Sequence, residues 1–304
     1  MILVTGATGF LGKRVCKRLD TMGLTYRRTS LSLGLDLRDL KAVLEFFSEI
    51  KPSQIINCAA YFGGIQFGYK YPAEIFTFNL QMTINLMEAC RIFNVGRFVN
   101  PVSNCSYPGE ASFFREAEYW DGPLHESVLV FGFVRKASWV GSWAYTKQYD
   151  VDVLNLILPN LYGPEDHFEE ERSHALGALI MKLVEARNKN LPEVIVWGSG
   201  KPVREWLHVD EAAEAMIRGL NAVKCLEIVN VGIGRGISIA DMAYLIRDCV
   251  GYKGKLVFDR SKPDGAPSKI IDGTRGSQIL KWSPSLDFRC GVEETIDWYC
   301  KHIV

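Results

Sequence analysis

The fold of this chain is decided by residues 1–12, which read MILVTGATGFLG. The apolar run Ile2–Val4 predicts a buried strand, and Phe10–Thr21 has the pattern of a helix. Glycines at positions 6, 9 and 12 lie between the two, which is the context that a dinucleotide-binding loop requires. Gly6 permits a tight turn, Gly9 lets the backbone approach a pyrophosphate, and Gly12 allows close packing of helix on strand. Amide groups at the helix N-terminus would bind the phosphates.

The alternation of strand and helix patterns continues through the first half of the chain. Further strand patterns lie at Thr25–Arg28, Gln54–Cys58, Arg97–Val102 and Val151–Leu158, and helical patterns at Leu40–Ile50, Pro72–Phe93 and Gly132–Asp150. This order predicts an α/β fold, a Rossmann-type doubly wound parallel sheet with helices on both faces. After residue 160 the elements become shorter and turns more frequent. We therefore expect a dinucleotide-binding domain at 1–160 and a smaller C-terminal substrate lobe at 161–304, interleaved with the first.

Composition excludes several classes of partner. The 304 residues are 48% hydrophobic and 23% charged, and the formal net charge is zero, so neither nucleic acid nor an anionic membrane is an expected partner. No signal-peptide pattern and no apolar run of about 18 residues is present, which favours a cytoplasmic protein without a transmembrane helix. The eight cysteines include no CxxC pair, so free thiols and no metal site are expected.

The end of the second strand indicates which nicotinamide cofactor binds. An NAD site usually carries an acidic residue there, whereas this chain has the sequence YRRTS at 26–30. Arg27, Arg28 and the hydroxyls after them suit a 2′-phosphate, which favours NADP(H) over NAD(H). The alternative is a solvated basic turn. Downstream, the Asp36 carboxylate and the Leu37 backbone are expected at the adenine edge.

Seven segments, in order, resemble the extended short-chain dehydrogenase/reductases and, among them, the GDP-L-fucose synthases. They are AAYFGGI at 59–65, SNCSYP at 103–108, PNLYGP at 159–164, SH at 173–174, VWGSG at 196–200, REWLHVD at 204–210 and KPDG at 262–265. The resemblance covers nearly the whole chain. It implies an enzyme that epimerises a GDP-4-keto-6-deoxy sugar at C3 and C5 and then reduces it at C4.

Roles for individual residues follow from that resemblance. Cys105 and His174 match the proton-transfer pair, and Ser103 matches the serine that bonds the substrate carbonyl. In water a thiol has a pKa of about 8.5 and an imidazole a pKa of about 6.5. A modest shift of either pKa therefore lets the group transfer protons near neutral pH. The expected cofactor-binding residues are Gly6, Thr8, Gly9, Phe10, Leu11, Gly12, Arg27, Arg28, Asp36, Leu37, Ala59, Ala60, Arg135, Pro159, Asn160 and Leu161. The expected substrate-binding residues are Asn160, Lys182, Trp197, Arg204, Lys262, Asp264 and Lys269.

One departure concerns the reductive step. The family uses a Tyr-x-x-x-Lys pair, and the matching positions here hold Phe131 and Arg135. Phenylalanine has no proton to give, and arginine is a fixed charge that can still bond the cofactor ribose. Tyr107 and Lys136 are candidate substitutes, although Lys136 should point elsewhere on its helix.

Three functional hypotheses remain open on sequence alone. The chain epimerises and also reduces its substrate; or it only epimerises, with the reductase pair lost; or it is a non-catalytic subunit that binds NADP or a sugar nucleotide. A homodimer is also expected, since Trp139 and Trp143 lie one turn apart on the helix that carries Arg135. The alternative is that both tryptophans belong to the core.

Overall fold

The structure is a computed structural model that describes residues 1–169, 173–262 and 264–304, without the side chain of Ile65. Its strands are β1 (Ile2–Thr5), β2 (Tyr26–Arg28), β3 (Gln54–Asn57), β4 (Arg97–Ser103), β5 (Val153–Leu158), β6 (Asn160–Tyr162), β7 (Glu193–Trp197), β8 (Val203–Arg204), β9 (Trp206–His208), β10 (Val229–Asn230), β11 (Ile237–Ser238), β12 (Lys255–Asp259) and β13 (Ser268–Lys269). Its helices are α1 (Phe10–Thr21), α2 (Leu40–Ile50), α3 (Ile65–Lys70), α4 (Pro72–Ile92), α5 (Leu129–Tyr149), α6 (Ala175–Asn188), α7 (Val209–Gly219), α8 (Ile239–Val250), α9 (Thr274–Leu280) and α10 (Phe288–His302).

Six strands form one parallel sheet in the order β10-β5-β4-β3-β1-β2. The chain moves from β1 outward to β2 and then returns to the other side of β1 with β3. Strand order therefore reverses between β1 and β3, and a ligand crevice is expected where their carboxyl ends meet. The predicted Rossmann-type sheet is confirmed.

Apolar side chains cover both faces of this sheet. On one face Val4 and Leu156 pack with Val15 of α1 and Met216 of α7, and all four are completely buried or nearly so. On the other face Leu3 and Phe98 join a second cluster with α2 and α4. Because both faces are covered, these strands carry continuous apolar runs rather than alternating ones.

A third apolar core lies outside the sheet, between α6, α8 and α10. Leu183, Met242 and Ile296 belong to it, together with Val194 from the parallel pair β7 and β12. The C-terminal half also contributes to the central sheet and its cover: α7 packs on α1, and β10 pairs with β5 at the edge of the sheet. No helix in the described ranges has both the length and the apolar character needed to cross a bilayer.

Candidate functional site

The glycine-rich loop joins β1 to α1 at the point where strand order reverses. Gly6 has a φ of +60°, and a Cβ there would lie 2.5 Å from the Ala59 amide nitrogen after β3, so only glycine fits. Gly9 is the N-cap residue of α1 and lacks a side chain that could bond the first amide groups. Those amides are oriented for an anion. The loop therefore fits the pyrophosphate of a dinucleotide.

Three hydroxyl groups meet beside this loop, at the carboxyl end of β2. Thr8 Oγ1 lies 3.0 Å from Ser30 Oγ and 2.9 Å from Ser32 Oγ, and the two serine oxygens are 3.0 Å apart. Arg27 and Arg28 are exposed on β2 itself. Hydroxyl and guanidinium groups both donate to phosphate, so this region fits a 2′-phosphate. The sequence pointed to Ser30 but not to Ser32, which a short 3-10 turn at 31–33 brings back.

Asp36 and Leu37 already have partners within the protein. Arg38 donates to both Asp36 oxygens, with Nε 2.8 Å from Oδ1 and Nη2 2.6 Å from Oδ2; these bonds lower the pKa of Asp36. The Leu37 carbonyl accepts a hydrogen bond of 2.9 Å from Asn85. An adenine edge at this place would therefore meet the Asp36–Arg38 pair rather than a free carboxylate.

A buried polar ladder, which the sequence did not reveal, crosses the sheet just below the site. Thr5 on β1 bonds Asn57 on β3 at 2.6 Å, Asn57 bonds Asn100 on β4 at 3.1 Å, and Asn100 bonds Asn155 on β5 at 2.9 Å. Asn100 also donates to Ser138 of α5. Such a fully hydrogen-bonded network fixes how far each strand extends relative to its neighbours. It thereby positions the residues that follow each strand.

The remaining predicted cofactor residues follow β3 and β5. Ala59 and Ala60 come directly after β3, and Pro159 separates β5 from β6, which includes Asn160 and Leu161. The Asn160 side chain donates to the Glu205 carbonyl at 3.2 Å. Its amide therefore joins β6 to β9, and its predicted contact with cofactor or substrate remains a prediction.

Ser103 and Cys105 lie where β4 ends and a single 3-10 turn begins. Ser103 Oγ accepts a hydrogen bond of 3.2 Å from the Cys105 amide. The Lys269 ammonium from β13 lies 3.4 Å from Cys105 Sγ, and Lys269 is only 8% exposed. Burial alone would raise the pKa of Cys105, but Lys269, the Ser103 bond and Arg204 outweigh it, so the net pKa is lowered. The thiol therefore loses its proton more readily than an ordinary thiol does.

His174 is the N-cap residue of α6, and its ring packs against Phe62 with centroids 5.2 Å apart. Burial lowers the pKa of His174 to about 4, and the Lys269 and His167 charges act in the same direction. The imidazole is therefore neutral at pH 7. The Lys269 charge thus acts electrostatically on both the thiol and the imidazole.

Phe131 and Arg135 lie one turn apart on α5 and face different surroundings. Phe131 is 6% exposed and packs with Phe67 and Ile75. Its ring also meets Phe62 edge-on, with centroids 5.0 Å apart. Burial lowers the pKa of the Arg135 guanidinium, and the electrostatic effects of Cys105 and Tyr119 partly offset this. Phe131 thus belongs to an apolar wall, and a fixed cation lies one helical turn further along α5.

Neither proposed substitute for the missing proton donor faces this wall. The Lys136 ammonium donates to the Tyr119 carbonyl and lies 4.1 Å from the centroids of both the Tyr119 and Trp120 rings. Burial lowers its pKa to about 8, but Lys136 points away, as its helical position predicted. The Tyr107 hydroxyl donates to Asn230 Oδ1 at 2.8 Å, and the residue is 2% exposed. The suggestion that Tyr107 replaces the donor is wrong, because its proton is engaged in a separate buried cluster.

Two of the predicted substrate-binding residues flank Trp197 at the end of β7. The Lys182 and Lys262 ammonium groups lie 5.1 and 5.5 Å from its ring centroid, and the ring is 44% exposed. Asp264 accepts bonds of 2.6 and 2.7 Å from the Ser199 amide and hydroxyl. Those bonds join Asp264 to the turn after β7. Pro263 of the quoted KPDG segment lies outside the described residues.

A second residue that sequence reasoning missed is Glu205, which is 1% exposed. Its carboxylate accepts backbone N–H bonds from Ile233 at 2.6 Å, Gly234 at 3.3 Å and Ile271 at 2.7 Å. Burial raises the pKa of Glu205 to about 7, against the effect of these bonds. Glu205 separates Arg204 from β9 and holds β13, and with it Lys269, in place. The quoted REWLHVD segment contained it without a role.

One group of possible metal ligands lies away from these residues. His208, Asp210 and Glu294 bring ligand atoms within 4.8 Å of one another, although the sequence predicted no metal site. Arg14 Nε lies 3.6 Å from Asp210 Oδ1, and His208 Nε2 lies 3.7 Å from Glu294 Oε2. The Arg14 cation that already faces Asp210 opposes a metal ion, so we assign the group to a polar network around Arg14.

Comparison with known proteins agrees with this architecture. A family model described as the NAD dependent epimerase/dehydratase family matches residues 2–232. A putative GDP-L-fucose synthase 2 of Arabidopsis thaliana is 35% identical over 100% of this chain and 92% of its own length. The GDP-L-fucose synthase of Escherichia coli K12 is 33% identical over 99% of this chain and 97% of its own.

Solved structures show the same fold. A GDP-L-fucose synthetase from Naegleria fowleri bound to NADP superposes with a TM-score of 0.89 at 26% identity, covering 99% of this chain and 92% of that one. A GDP-6-OMe-4-keto-L-xylo-heptose reductase from C. jejuni reaches a TM-score of 0.92 at 24% identity, with 99% and 97% covered. The sheet order, the glycine-rich loop and the family match agree. The chain belongs to the NAD dependent epimerase/dehydratase family.

Proposed function

We propose that this protein is an NADP(H)-binding nucleotide-sugar enzyme that epimerises C3 and C5 of a GDP-4-keto-6-deoxy sugar. The observation that carries the proposal is the 3.4 Å contact between the Lys269 ammonium and the Cys105 sulfur, with His174 affected by the same charge. Relatives named as GDP-L-fucose synthases and a GDP-L-colitose synthase of Yersinia pseudotuberculosis support the substrate class.

The chemistry that these side chains can perform is proton transfer beside a carbonyl. A ketone at C4 acidifies the hydrogens on C3 and C5. The Cys105 thiolate takes one proton: the C–H bond breaks, an S–H bond forms, and the electron pair moves onto the carbonyl oxygen. His174 binds a proton once the substrate is in place and delivers it to the carbon from the opposite face, which inverts the centre and restores the ketone. Ser103 donates to the carbonyl oxygen while the charge is there.

The nucleotide half of the substrate is assigned to the surface around Trp197. Its exposed ring offers a face to a base, and Lys182 and Lys262 flank it with positive charge. Arg204 reaches toward this surface through a bond of 3.5 Å to the Asp264 carbonyl. Charge-assisted bonds to a diphosphate are the interactions these types make best.

The cofactor proposal rests on the β1–α1 loop and on the end of β2. Gly6, Gly9 and Gly12 would hold the pyrophosphate, and Thr8, Ser30, Ser32, Arg27 and Arg28 would hold a 2′-phosphate, which favours NADP(H) over NAD(H). Arg135 would bond the nicotinamide ribose. When bound, such a cofactor supplies a hydride to a carbonyl carbon. The NADP-bound structure from Naegleria fowleri supports this choice.

The reductive step is the part of the family reaction that this chain is poorly equipped to complete. Phe131 has no proton, and among the described residues the two substitutes considered point away. Removal of a positioned general acid costs about two to four orders of magnitude in rate. We therefore expect epimerisation to proceed and reduction at C4 to be slow or lost.

A homodimer is proposed from the exposed faces of α4 and α5. Phe76 and Ile84 on α4 are 44% and 53% exposed, and Phe133 and Trp143 on α5 are 48% and 44% exposed. Apolar side chains clustered on neighbouring helices are typical of a protein interface. Trp139 does not share this face, because its indole donates to the Leu226 carbonyl at 3.1 Å and packs against the Trp120 ring.

The test is hydrogen exchange into the substrate. The protein is incubated in D2O with GDP-4-keto-6-deoxymannose, and deuterium in the sugar is counted by mass spectrometry. Two deuterons per sugar are expected without NADPH. Cys105→Ala should slow uptake at least a hundredfold, whereas Cys290→Ala, at an exposed thiol on α10, should leave it unchanged. Absence of uptake in the unaltered protein would overturn the proposal, and stoichiometric NADPH oxidation would contradict the loss of reduction.

A further inference from the structure

Cys105 is surrounded by more positive charge than a thiol in a structural role requires. Lys269 from β13 contacts the sulfur at 3.4 Å, and Arg204 of β8 and Arg135 of α5 both act on it electrostatically. The Ser103 hydroxyl at the end of β4 also interacts with the thiol. Three cations therefore converge on one ionisable sulfur.

This positive charge is not balanced within the described part of the chain. The ion pairs that residues 1–169, 173–262 and 264–304 form involve other basic residues and none of these three cations. Asp264 acts electrostatically on Arg204, and one thiolate offsets at most one of the two remaining charges. A partly buried charge without a counter-ion is costly. Among the described residues, one positive charge is thus left for an additional anion.

Two of the cations lie between the chemistry and the nucleotide surface. Arg204 and Lys269 are register partners in adjacent parallel strands. Lys269 contacts Cys105, while Arg204 also bonds the Asp264 carbonyl at 3.5 Å. Asp264 in turn fastens the turn after Trp197. An anion that enters from Trp197 therefore meets the cations that hold the thiolate.

We propose that Lys269 and Arg204 serve two anions in turn, the Cys105 thiolate in the ligand-free protein and the diphosphate of the nucleotide when the substrate binds. This inference rests on the proposed function, which supplies the diphosphate. Lys269 is then a positioning residue: it stores Cys105 as a thiolate and releases it as a stronger base when the diphosphate takes over its charge.

The same exchange alters His174. In the ligand-free protein Lys269 opposes protonation of the imidazole. A diphosphate that neutralises Lys269 removes that opposition, so His174 gains affinity for a proton as the thiolate gains basicity. Diphosphate binding thereby prepares both the base and the acid. A sugar without the nucleotide would meet a weak base and an imidazole that holds no extra proton.

The experiment titrates the thiol directly, without turnover. Alkylation of Cys105 by iodoacetamide is followed by peptide mass spectrometry from pH 5 to 10, with and without saturating GDP as the probe. The unaltered protein should show a midpoint below that of an ordinary thiol. Lys269→Met should raise the midpoint by at least one unit, which slows alkylation at pH 7 about tenfold, whereas Lys269→Arg should restore it. Lys41→Met, at an exposed lysine of α2, is the control.

GDP should raise the midpoint of the unaltered protein, which simple steric protection would not do, because protection lowers the plateau rate at every pH. This arm also serves if Lys269→Met does not fold. An unchanged midpoint in folded Lys269→Met would overturn the pairing, and a GDP effect confined to the plateau would overturn the exchange. If Lys269→Met and GDP both shift the alkylation midpoint but the protein takes up no deuterium into the sugar, only the assignment of the substrate is wrong.

Discussion

The glycine-rich loop allows two roles to be separated by two matched substitutions, Gly12→Ala and Gly9→Ala. A Cβ at Gly12 would lie 2.8 Å from Ala7 Cα and would overlap the Gly6 carbonyl oxygen. Both are backbone atoms, so α1 itself would have to move. A Cβ at Gly9 would lie 3.3 Å from the same oxygen, at a φ of −82° that any residue adopts. Gly9→Ala therefore needs a shift of only tenths of an ångström.

The expected magnitudes differ accordingly. Helix α1 carries Val15 and Leu19, both completely buried against the sheet, and forcing it outward should lower the free energy of unfolding by about 3 kcal/mol. Gly9→Ala should cost about 1 kcal/mol, since alanine is a poorer N-cap than glycine. The methyl group of Gly9→Ala should, however, block the approach of a pyrophosphate and remove most NADPH affinity.

Urea unfolding followed by tryptophan fluorescence measures the first effect, and NADPH at 100 times its dissociation constant measures the second. Such a ligand adds about 2.7 kcal/mol of stability to a protein that binds it. The unaltered protein should gain this increment, and Gly9→Ala should not. An unfolding midpoint of Gly12→Ala equal to that of the unaltered protein would refute the reasoning about close packing, and a full NADPH increment in Gly9→Ala would refute the reasoning about the pyrophosphate.

Three other changes probe the acid, the imidazole and the dimer. Phe131→Tyr should raise NADPH oxidation with GDP-4-keto-6-deoxymannose about a hundredfold and lower unfolding stability by about 1–3 kcal/mol, because a hydroxyl enters an apolar cluster; an unchanged oxidation rate would show that the ring does not face the substrate. The His174 pKa of about 4 lies below the ordinary value of about 6.5, so stability should fall as pH drops through this window, because the unfolded chain binds the proton more readily. His174→Gln should flatten urea midpoints between pH 6.5 and 4, and a slope identical to that of the unaltered protein would count against the buried neutral imidazole. Trp143→Asp should convert the dimer to a monomer in analytical ultracentrifugation. Deuterium uptake into the substrate, which depends on Cys105, should be retained and would show that the variant is folded. A persisting dimer would place the interface elsewhere.

Much of the fold could be predicted from local patterns. Helix α1 begins and ends where the sequence indicated, because Gly9 starts it and Gly23 follows it. Helix α5 begins three residues before the predicted Gly132, since a 3-10 turn at Glu126–Val128 leads directly into it. The strands β8, β11 and β13 have two residues each, too few for a periodic pattern, so tertiary pairing alone decides them. Helix α10 was missed although Val292, Ile296 and Tyr299 recur at helical spacing.

The candidate site could be predicted only as a set of residues. Family resemblance placed Lys269 with the nucleotide, but its contact with Cys105 joins positions 164 residues apart in the chain, and no local pattern encodes such a contact. The Phe62 ring contacts both Phe131 and His174, and these three residues come from distant segments of the chain. Ser32 and Glu205 were missed because serine and glutamate are ordinary surface residues, and only burial and bonding distinguish these two.

The replacement of the family tyrosine by Phe131 is consistent with the charges around it when the carbonyl oxygen is followed through each reaction. Reduction leaves an alkoxide on that oxygen, which must acquire a proton before the product is released. Epimerisation places charge on the same oxygen only while the enolate exists, and the ketone then returns without any proton on oxygen. The first reaction requires an acid, whereas the second requires only fixed positive charge and a hydrogen-bond donor. Arg135 cannot release its proton at neutral pH, and Phe131 has none, yet the Arg135 charge and the Ser103 hydroxyl remain. A site with a fixed cation and a hydrogen-bond donor at this oxygen is therefore suited to charge that appears and disappears.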